Sequence, residues 1–368
     1  MKIGVPKEIK NNEFRVGLKP QDVVAYVKHG HSVVIEKDAG LGAGFSNEAY
    51  QTAGATLESN VAKIWADAEM IIKVKEPIQS EYLHFKEGLL LYTYVHLADN
   101  EPLTKELLAK KVTSIAYETI TDRHGALPCL TPMSEIAGRL SVQMGAYHMQ
   151  RNNGGAGLLL GGVPGVARAN VIILGAGVVG LNALKIAVGM QANVTIIDIN
   201  THRLAYLDDI YATKITTLFS SEENIRSVLP TADLIIGAVL IPGAKAPHLV
   251  RKEHLKLLKP RTVLVDVAID QGGCFETSHA TTHQDPVYDV DNVIHYCVAN
   301  MPGAVAQTST RALTDSTLCH GLALADKGLL VALKADIHLY NGLNTHAGKC
   351  TYKAVADAWN LPFEPLTV

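Results

Sequence analysis

The sequence has no dense block of lysine or arginine, no unbroken apolar run near the ~20 residues of a membrane span, and no CxxC pair. Each absence excludes a class of function. With 33 basic against 36 acidic residues and a net charge of −3, neither a nucleic-acid binder nor a protein drawn to an anionic membrane is expected. The five cysteines, Cys129, Cys274, Cys297, Cys319 and Cys350, are odd in number and scattered. That pattern predicts reduced thiols and a cytoplasmic protein rather than a disulfide scaffold. The opening MKIGVPKEIKNNEFR lacks the apolar core of a secretory signal. HExxH, GxSxG and GxxxxGK(S/T) are all missing. Among 15 histidines, His279 and His283 are the main pair at helical spacing, and no metal site is predicted. Cys274 follows two glycines and reads as an exposed, incidental thiol.

What remains is a globular composition, 48% hydrophobic and 19% charged, in a chain of 368 residues that predicts two domains. The first third alternates strands and helices. Strands are expected at Lys2–Val5, Ser32–Glu36, Met70–Val74, Leu89–Val95 and Thr113–Glu118, with helices at Pro20–Gly30 and Glu101–Lys111. That alternation argues for a parallel sheet covered by helices. A helical pattern runs from Ser134 to about Gln150, and the Gly-rich NNGGAGLLLGGVPGVA after it reads as irregular. From Asn170 onward six buried strands follow, the complement of a dinucleotide-binding fold. Beyond Pro302 the chain reads as mainly helical, with no sheet of its own. It is therefore expected to return to the first domain and make that domain discontinuous. The expected division is 1–128 plus 306–368 for one domain and 129–305 for the other.

Gly175-Ala-Gly177-Val-Val-Gly180 is a GxGxxG turn that follows the apolar Val171–Leu174 and opens a helical run, Leu181–Met190. Gly175 allows the tight turn, Gly177 allows backbone to approach a pyrophosphate, and Gly180 allows close helix–strand packing. Asp198 ends the next strand, placed to accept hydrogen bonds from the adenosine ribose and to repel a 2′-phosphate. NAD is thus favoured over NADP, with Arg203 close enough to weaken the preference. Among titratable candidates, Arg15 lies in a loop, where a solvated surface role is the ordinary expectation. Lys73 and Lys75 share one face at strand period and read either as an exposed strand end or as cations pointing into a ligand cleft. His96 ends an apolar strand and reads either as a core histidine or as a proton carrier. Asp270 sits at the carboxyl edge of a strand, while Asp266 is mid-strand and structural.

Several segments, in order, resemble alanine dehydrogenases: MKIGVPKEIKNNEFRVGLKP, IIKVKEP, SIAYET, PMSEIAGRLS, LLGGVPGV, GAVLIPGAKAP, VDVAIDQGGCFE, HYCVANMPGAV and NGLNTHAGK. The resemblance covers essentially the whole chain. The same superfamily includes a transhydrogenase nucleotide-binding module and saccharopine dehydrogenases. The resemblance implies two doubly wound parallel-sheet α/β domains flanking a cleft, one of them a Rossmann NAD-binding domain. It implies NAD as cofactor, L-alanine, pyruvate and ammonium as substrates and products, and a homo-oligomer, a hexamer. It implies that Arg15 and Lys75 hold the substrate, that His96 is the acid/base, and that Asp270 works beside the nicotinamide. Ser134, Gly175, Gly177, Gly180, Asp198, Arg203, Ser220, Val239, Asn300 and Met301 match positions that approach the dinucleotide. The chain departs from the family pattern at Ala156, Gln307, Asp315 and Cys319-His320. A module that binds nucleotide without amino-acid chemistry, and a related amino-acid dehydrogenase, are the alternatives.

Overall fold

The structure, a computed structural model, describes residues 1–239 and 246–367. Residues 240–245, in the GAVLIPGAKAP segment, lie outside the described residues. In chain order the first stretch runs β1 (Lys2–Val5), α1 (Pro20–Lys28), β2 (Ser32–Glu36), α2 (Asn47–Thr52), β3 (Thr56–Glu58), α3 (Val61–Asp67), β4 (Met70–Ile72), β5 (Leu90–Thr93), α4 (Glu101–Ala109) and β6 (Thr113–Ala116). After α5 (Thr131–His148) come β7 (Asn170–Leu174), α6 (Val178–Gly189), β8 (Asn193–Asp198), α7 (Thr201–Tyr211), β9 (Ile215–Phe219), α8 (Glu222–Val228), β10 (Leu234–Gly237), β11 (Val263–Asp266), β12 (Val287–Val290) and β13 (Val293–Tyr296). The chain closes with α9 (Ala306–Lys327), α10 (Leu329–Ala335), α11 (Ile337–Tyr340), β14 (Leu343–His346), β15 (Lys349–Cys350) and α12 (Lys353–Trp359). The Gly-rich stretch after α5 holds only a short 3-10 turn and an isolated bridge between Val163 and Val166.

Two compact units result: Met1–Met133 with Gly303–Val368, and Ser134–Pro302. The first unit continues five residues beyond the expected bound of 128 and resumes three residues before 306. Its sheet, among the described residues, has the order β15-β14-β6-β5-β4-β1-β2-β3. Strands β1 to β6 are mutually parallel, and β14 pairs antiparallel with both β6 and β15. The second unit's sheet has the order β12-β13-β11-β10-β7-β8-β9, parallel except for β12. Counting each unit's parallel strands from its own first, both sheets run 3-2-1-4-5-6. That is the doubly wound order, and in it ligands bind beyond the carboxyl ends of strands 1 and 4. In the first unit those strands are β1 and β4. In the second they are β7 and β10.

The central strands are apolar because helices cover both faces. All four residues of β10 and of β11 are buried. One core joins Trp65, Leu89, Leu91, Leu103 and Leu107, and another joins Ile172, Leu174, Ile235, Leu264 and Phe275.

The C-terminal stretch does contribute to a sheet, contrary to the helical reading. β14 and β15 form a hairpin around Ala347 and Gly348, both at positive φ, the backbone of a two-residue type I′ turn. The pattern was obscured because LNTH carries polar residues and pairs at a sheet margin. β12 escaped for a similar reason: it is an edge strand with no fully buried residue, joined to β13 by Asp291 and Asn292 at positive φ. His279 and His283 do not lie on a helix. His279 stacks on Tyr288 at 3.6 Å between ring centroids, and His283 Nε2 lies 3.2 Å from the Asn300 carbonyl. Cys274 is fully buried, not exposed, and burial pushes its thiol up to about 12.

Candidate active site

In the first unit the loop after β1 carries Arg15, the segment after β4 carries Lys73 and Lys75, and the segment after β5 carries His96. Parallel pairing of these three strands puts all of these groups at one sheet edge.

Arg15 is 2% exposed and is not the solvated loop residue that its position suggested. Glu13 takes its Nε at 2.7 Å and its Nη2 at 2.5 Å. Nη1 lies 3.0 Å from Met133 Sδ. Burial alone would lower the guanidinium's pKa, but the hydrogen bonds and charge of Glu13 raise it above the usual arginine value. Such a pair holds a planar donor fork rigidly. Glu13 was legible only as an acid two residues before Arg15, and nothing local said that the pair would be buried.

Lys73 and Lys75 have different fates, because β4 ends at Ile72. Lys73 is buried between two carboxylates, with Nζ 3.1 Å from Glu8 and 2.9 Å from Glu81. Glu8 also accepts the backbone N–H of Val74 at 2.6 Å and of Lys75 at 3.3 Å. Lys73 is therefore a tie between loops. Lys75 is half-buried, and its carbonyl accepts from Thr93 Oγ1 at 3.2 Å. Its ammonium has no hydrogen-bond or ion-pair partner among the described residues. Next to it, Glu76 pairs with Lys10. Burial would raise the Glu76 carboxyl, but Lys75, Lys10 and His96 together hold it below the usual carboxylate range.

His96 lies past the end of β5 in the left-handed region, φ 48°, with a side chain 42% exposed. Glu118, just beyond β6, accepts its backbone N–H at 2.6 Å and that of Val95 at 3.2 Å. The same carboxylate oxygen is 3.8 Å from His96 Nδ1. The ring stacks on Tyr94, whose hydroxyl donates to the Cys129 carbonyl at 2.6 Å. Neither Glu118 nor Glu76 is distinguished as a single residue in the sequence. SIAYET placed Glu118 near a strand end, but its partner is 22 residues away.

In the second unit the expected dinucleotide residues collect at the carboxyl edge. The glycine turn follows β7, Asp198 ends β8, Ser220 follows β9, Val239 follows β10, Asp270 follows β11, and Asn300 and Met301 follow β13. Ser134 lies in the first turns of α5. Gly175 has φ 101° and packs against the Ala238 carbonyl and Val239. A Cβ on Gly180 would stand 1.8 Å from the Gly175 carbonyl oxygen, whereas one on Gly177 would meet nothing within 4 Å. The N-terminus of α6 has no side-chain cap, so its first N–H groups are left to a ligand or solvent. Asp198 accepts the N–H of Ala176 at 2.6 Å and of Asn200 at 2.7 Å. Arg203 Nε donates to the Ala176 carbonyl at 3.0 Å. Asp198 and Arg203 thus grip the turn from both sides. Asp270 is exposed in a short 3-10 turn. Asp266 is the last residue of β11 rather than mid-strand.

Of the departures from the family pattern, Asp315 has a local partner. It receives a hydrogen bond from Lys19 Nζ at 2.6 Å, while Asp22 takes the same ammonium at 2.7 Å. Gln307 packs against Gly44, Cys319 and Ala156 are exposed, and His320 lies 4.0 Å from Asp336. Among the described residues no helix is long and apolar enough to cross a membrane.

The family models divide the chain once, near residue 140, and the second runs on through residues that the structure groups with the first unit. The N-terminal domain of the alanine dehydrogenase/PNT family matches residues 4–137, and its C-terminal domain matches residues 141–353. An alanine dehydrogenase of Methanococcus maripaludis is 57% identical over 366 residues, 99% of this chain and 98% of that protein. One of Halomonas elongata is 55% identical over 363 residues, covering 99% and 98%. A solved L-alanine dehydrogenase superposes with a TM-score of 0.95 at 49% identity, covering 98% of this chain and 99% of that one. A transhydrogenase from Sinorhizobium meliloti, 24% identical with a TM-score of 0.81 over 96% of this chain and 100% of its own, shares the fold. With both domains matched and full-length relatives above half identity, this chain belongs to the alanine dehydrogenase/PNT family.

Proposed function

We propose that the protein catalyses the reversible, NAD-dependent oxidative deamination of L-alanine: L-alanine + NAD⁺ + H₂O gives pyruvate + NH₄⁺ + NADH + H⁺. What supports this reading is that a guanidinium, an ammonium and an imidazole follow the carboxyl ends of the neighbouring parallel strands β1, β4 and β5, in a chain of this family. The first unit supplies the substrate groups. The second is the NAD-binding Rossmann domain, with Gly175, Gly177, Gly180, Asp198, Arg203, Ser220, Val239, Asn300, Met301 and Ser134 toward the dinucleotide.

NAD, when bound, would supply the acceptor for the hydride of the substrate Cα. Arg15 holds the substrate carboxylate. Glu13 pairs with Nε and Nη2 and so fixes the plane in which the guanidinium meets that carboxylate. Lys75 adds positive charge beside the carboxylate and the developing carbonyl. Loss of hydride leaves an iminium, water adds to it, and the carbinolamine releases ammonia. His96 takes the proton from the attacking water and returns one to the leaving amine. Asp270, at the carboxyl edge of the second unit's sheet, takes the place that the family resemblance assigns beside the nicotinamide. Burial of Arg15 and its Glu13 partner keeps this machinery preorganised rather than solvent-averaged. The reading also assigns a cytoplasmic homo-hexamer, on the strength of the family resemblance.

The test is initial-rate NADH formation from NAD and L-alanine at alkaline pH, against glycine, L-serine, L-lysine and no amino acid, with NADP in parallel. Alanine-selective, NAD-dependent turnover is expected. Binding of NADH without turnover on any amino acid would instead favour a transhydrogenase-like nucleotide-binding module.

A further inference from the structure

Asp266 is fully buried and is not among the groups assigned to the reaction. Its carboxylate is nevertheless densely hydrogen-bonded. Oδ1 accepts the N–H of Ala268 at 3.2 Å and of Cys274 at 3.1 Å. Oδ2 accepts the N–H of Cys274 at 2.8 Å and of Phe275 at 3.2 Å, and the Ser278 hydroxyl at 2.5 Å. The donors flank a single loop. Ala268 is at its start, and Cys274 and Phe275 are at its end. Between them stands Asp270, in a 3-10 turn closed by Gly272 and Gly273 at φ 90° and 84°. A Cβ on Gly273 would lie 2.6 Å from Asp266 Oδ2, so the return strand of the loop lies directly against the carboxylate. Ser278 extends the network, since Cys297 Sγ lies 3.6 Å from its hydroxyl.

We infer that Asp266 is a positioning residue for the reaction: its carboxylate fastens both ends of the 267–273 loop and so fixes where Asp270 presents its side chain. Burial alone calls for hydrogen bonds to this carboxylate, but their placement is specific: the backbone donors stand at the two ends of one loop, and the loop's exposed polar tip is the proposed catalytic carboxylate. Asparagine is nearly isosteric but replaces one acceptor oxygen with a donor, which would face backbone N–H groups. The loop would shift, and displacements of about 1 Å at a reacting group cost up to ~100-fold in rate.

The inference rests on the reading of Asp270 as a catalytic group, so the experiment separates the two. Asp266→Asn, Asp270→Asn and the double variant are purified, and kcat for alanine oxidation and the NADH Kd by fluorescence are measured. Asp266→Asn is expected to lower kcat by roughly 10- to 100-fold while the NADH Kd stays within about three-fold. The double variant should be no slower than Asp270→Asn alone, because a misplaced group that is already absent has nothing further to lose. If Asp270→Asn is slow but Asp266→Asn turns over normally, or if the two losses multiply, the positioning role is wrong. If Asp270→Asn itself keeps its kcat, the catalytic reading of Asp270 falls and this role falls with it. Should Asp266→Asn fail to fold, Ser278→Ala carries the test. It removes one hydroxyl bond and leaves the carboxylate in place, and a few-fold loss of kcat that vanishes in the Asp270→Asn background is expected. An unchanged kcat there overturns the inference.

Discussion

Glu118 Oε1 accepts the backbone N–H of His96 at 2.6 Å while His96 stands in the left-handed region at φ 48°. A non-glycine residue there costs about 1–2 kcal/mol. Hydrogen bonds to a charged acceptor contribute about 1.5–3 kcal/mol each. The bonds from His96 and Val95 therefore outweigh the strain, and the imidazole is presented from a backbone that Glu118 holds. His96→Ala should lower kcat by roughly 100-fold or more, the scale of a lost acid/base. Glu118→Ala should lower it by roughly ten-fold with the imidazole intact, and Glu118→Gln should recover much of that, since an amide oxygen still accepts both N–H groups. Wild-type turnover by Glu118→Ala would separate this carboxylate from the reaction.

Arg15 is predicted to act in substrate binding alone. Lysine at this position keeps the charge but loses the planar fork and one of the two bonds to Glu13. The Michaelis constants for alanine and pyruvate should rise by roughly ten-fold or more, as for a lost charge-assisted pair. The NADH Kd should not move. Steady-state kinetics in both directions, with a separate NADH titration, check the split; unchanged constants for both substrates would remove Arg15 from the carboxylate site.

The glycines of the turn make opposite predictions. A methyl group at Gly177 meets nothing within 4 Å, so Gly177→Ala should fold with an unchanged melting temperature and bind NADH at least about ten-fold more weakly. Gly180→Ala places its Cβ against the Gly175 carbonyl, so it should lower the melting temperature directly. Thermal melts with and without NADH distinguish the two. Normal NADH affinity in Gly177→Ala would argue that no phosphate approaches there.

Glu76 yields a pH prediction. Burial opposes its ionisation, yet Lys75, Lys10 and His96 lower its pKa in the folded protein. A carboxyl with a depressed folded pKa contributes stability above its unfolded pKa, about 4.3, and loses that contribution as pH falls through the folded value. Glu76→Gln should therefore unfold at lower urea than the parent at pH 7, and the gap should narrow below about pH 4. A gap that is constant with pH would mean that the carboxylate charge is not what the neighbouring cations stabilise.

Much of this protein was legible from local rules. The buried strands from β7 onward, the glycine turn and the acid ending β8 are patterns of periodicity and spacing, and they require only the residues within one strand-turn-helix unit. The return of the C-terminal stretch to the first unit could be inferred because its helices lacked a sheet to cover. Arg15, Lys75, His96 and Asp270 were ambiguous as residues, and resemblance rather than spacing assigned their roles. Only the tertiary structure distinguished Lys73, locked between Glu8 and Glu81, from Lys75 two positions on. It alone paired Glu118 with His96, closed the Asp266 network around the Asp270 loop, and added β12, β14 and β15 to the sheets. The physical reasons differ. The partners of Lys73 and His96 are set by which strands become neighbours, the Asp266 network depends on how its loop folds back on the strand end, the edge strand β12 buries too little to carry a hydrophobic signal, and β14 is buried through polar residues that do not read as core.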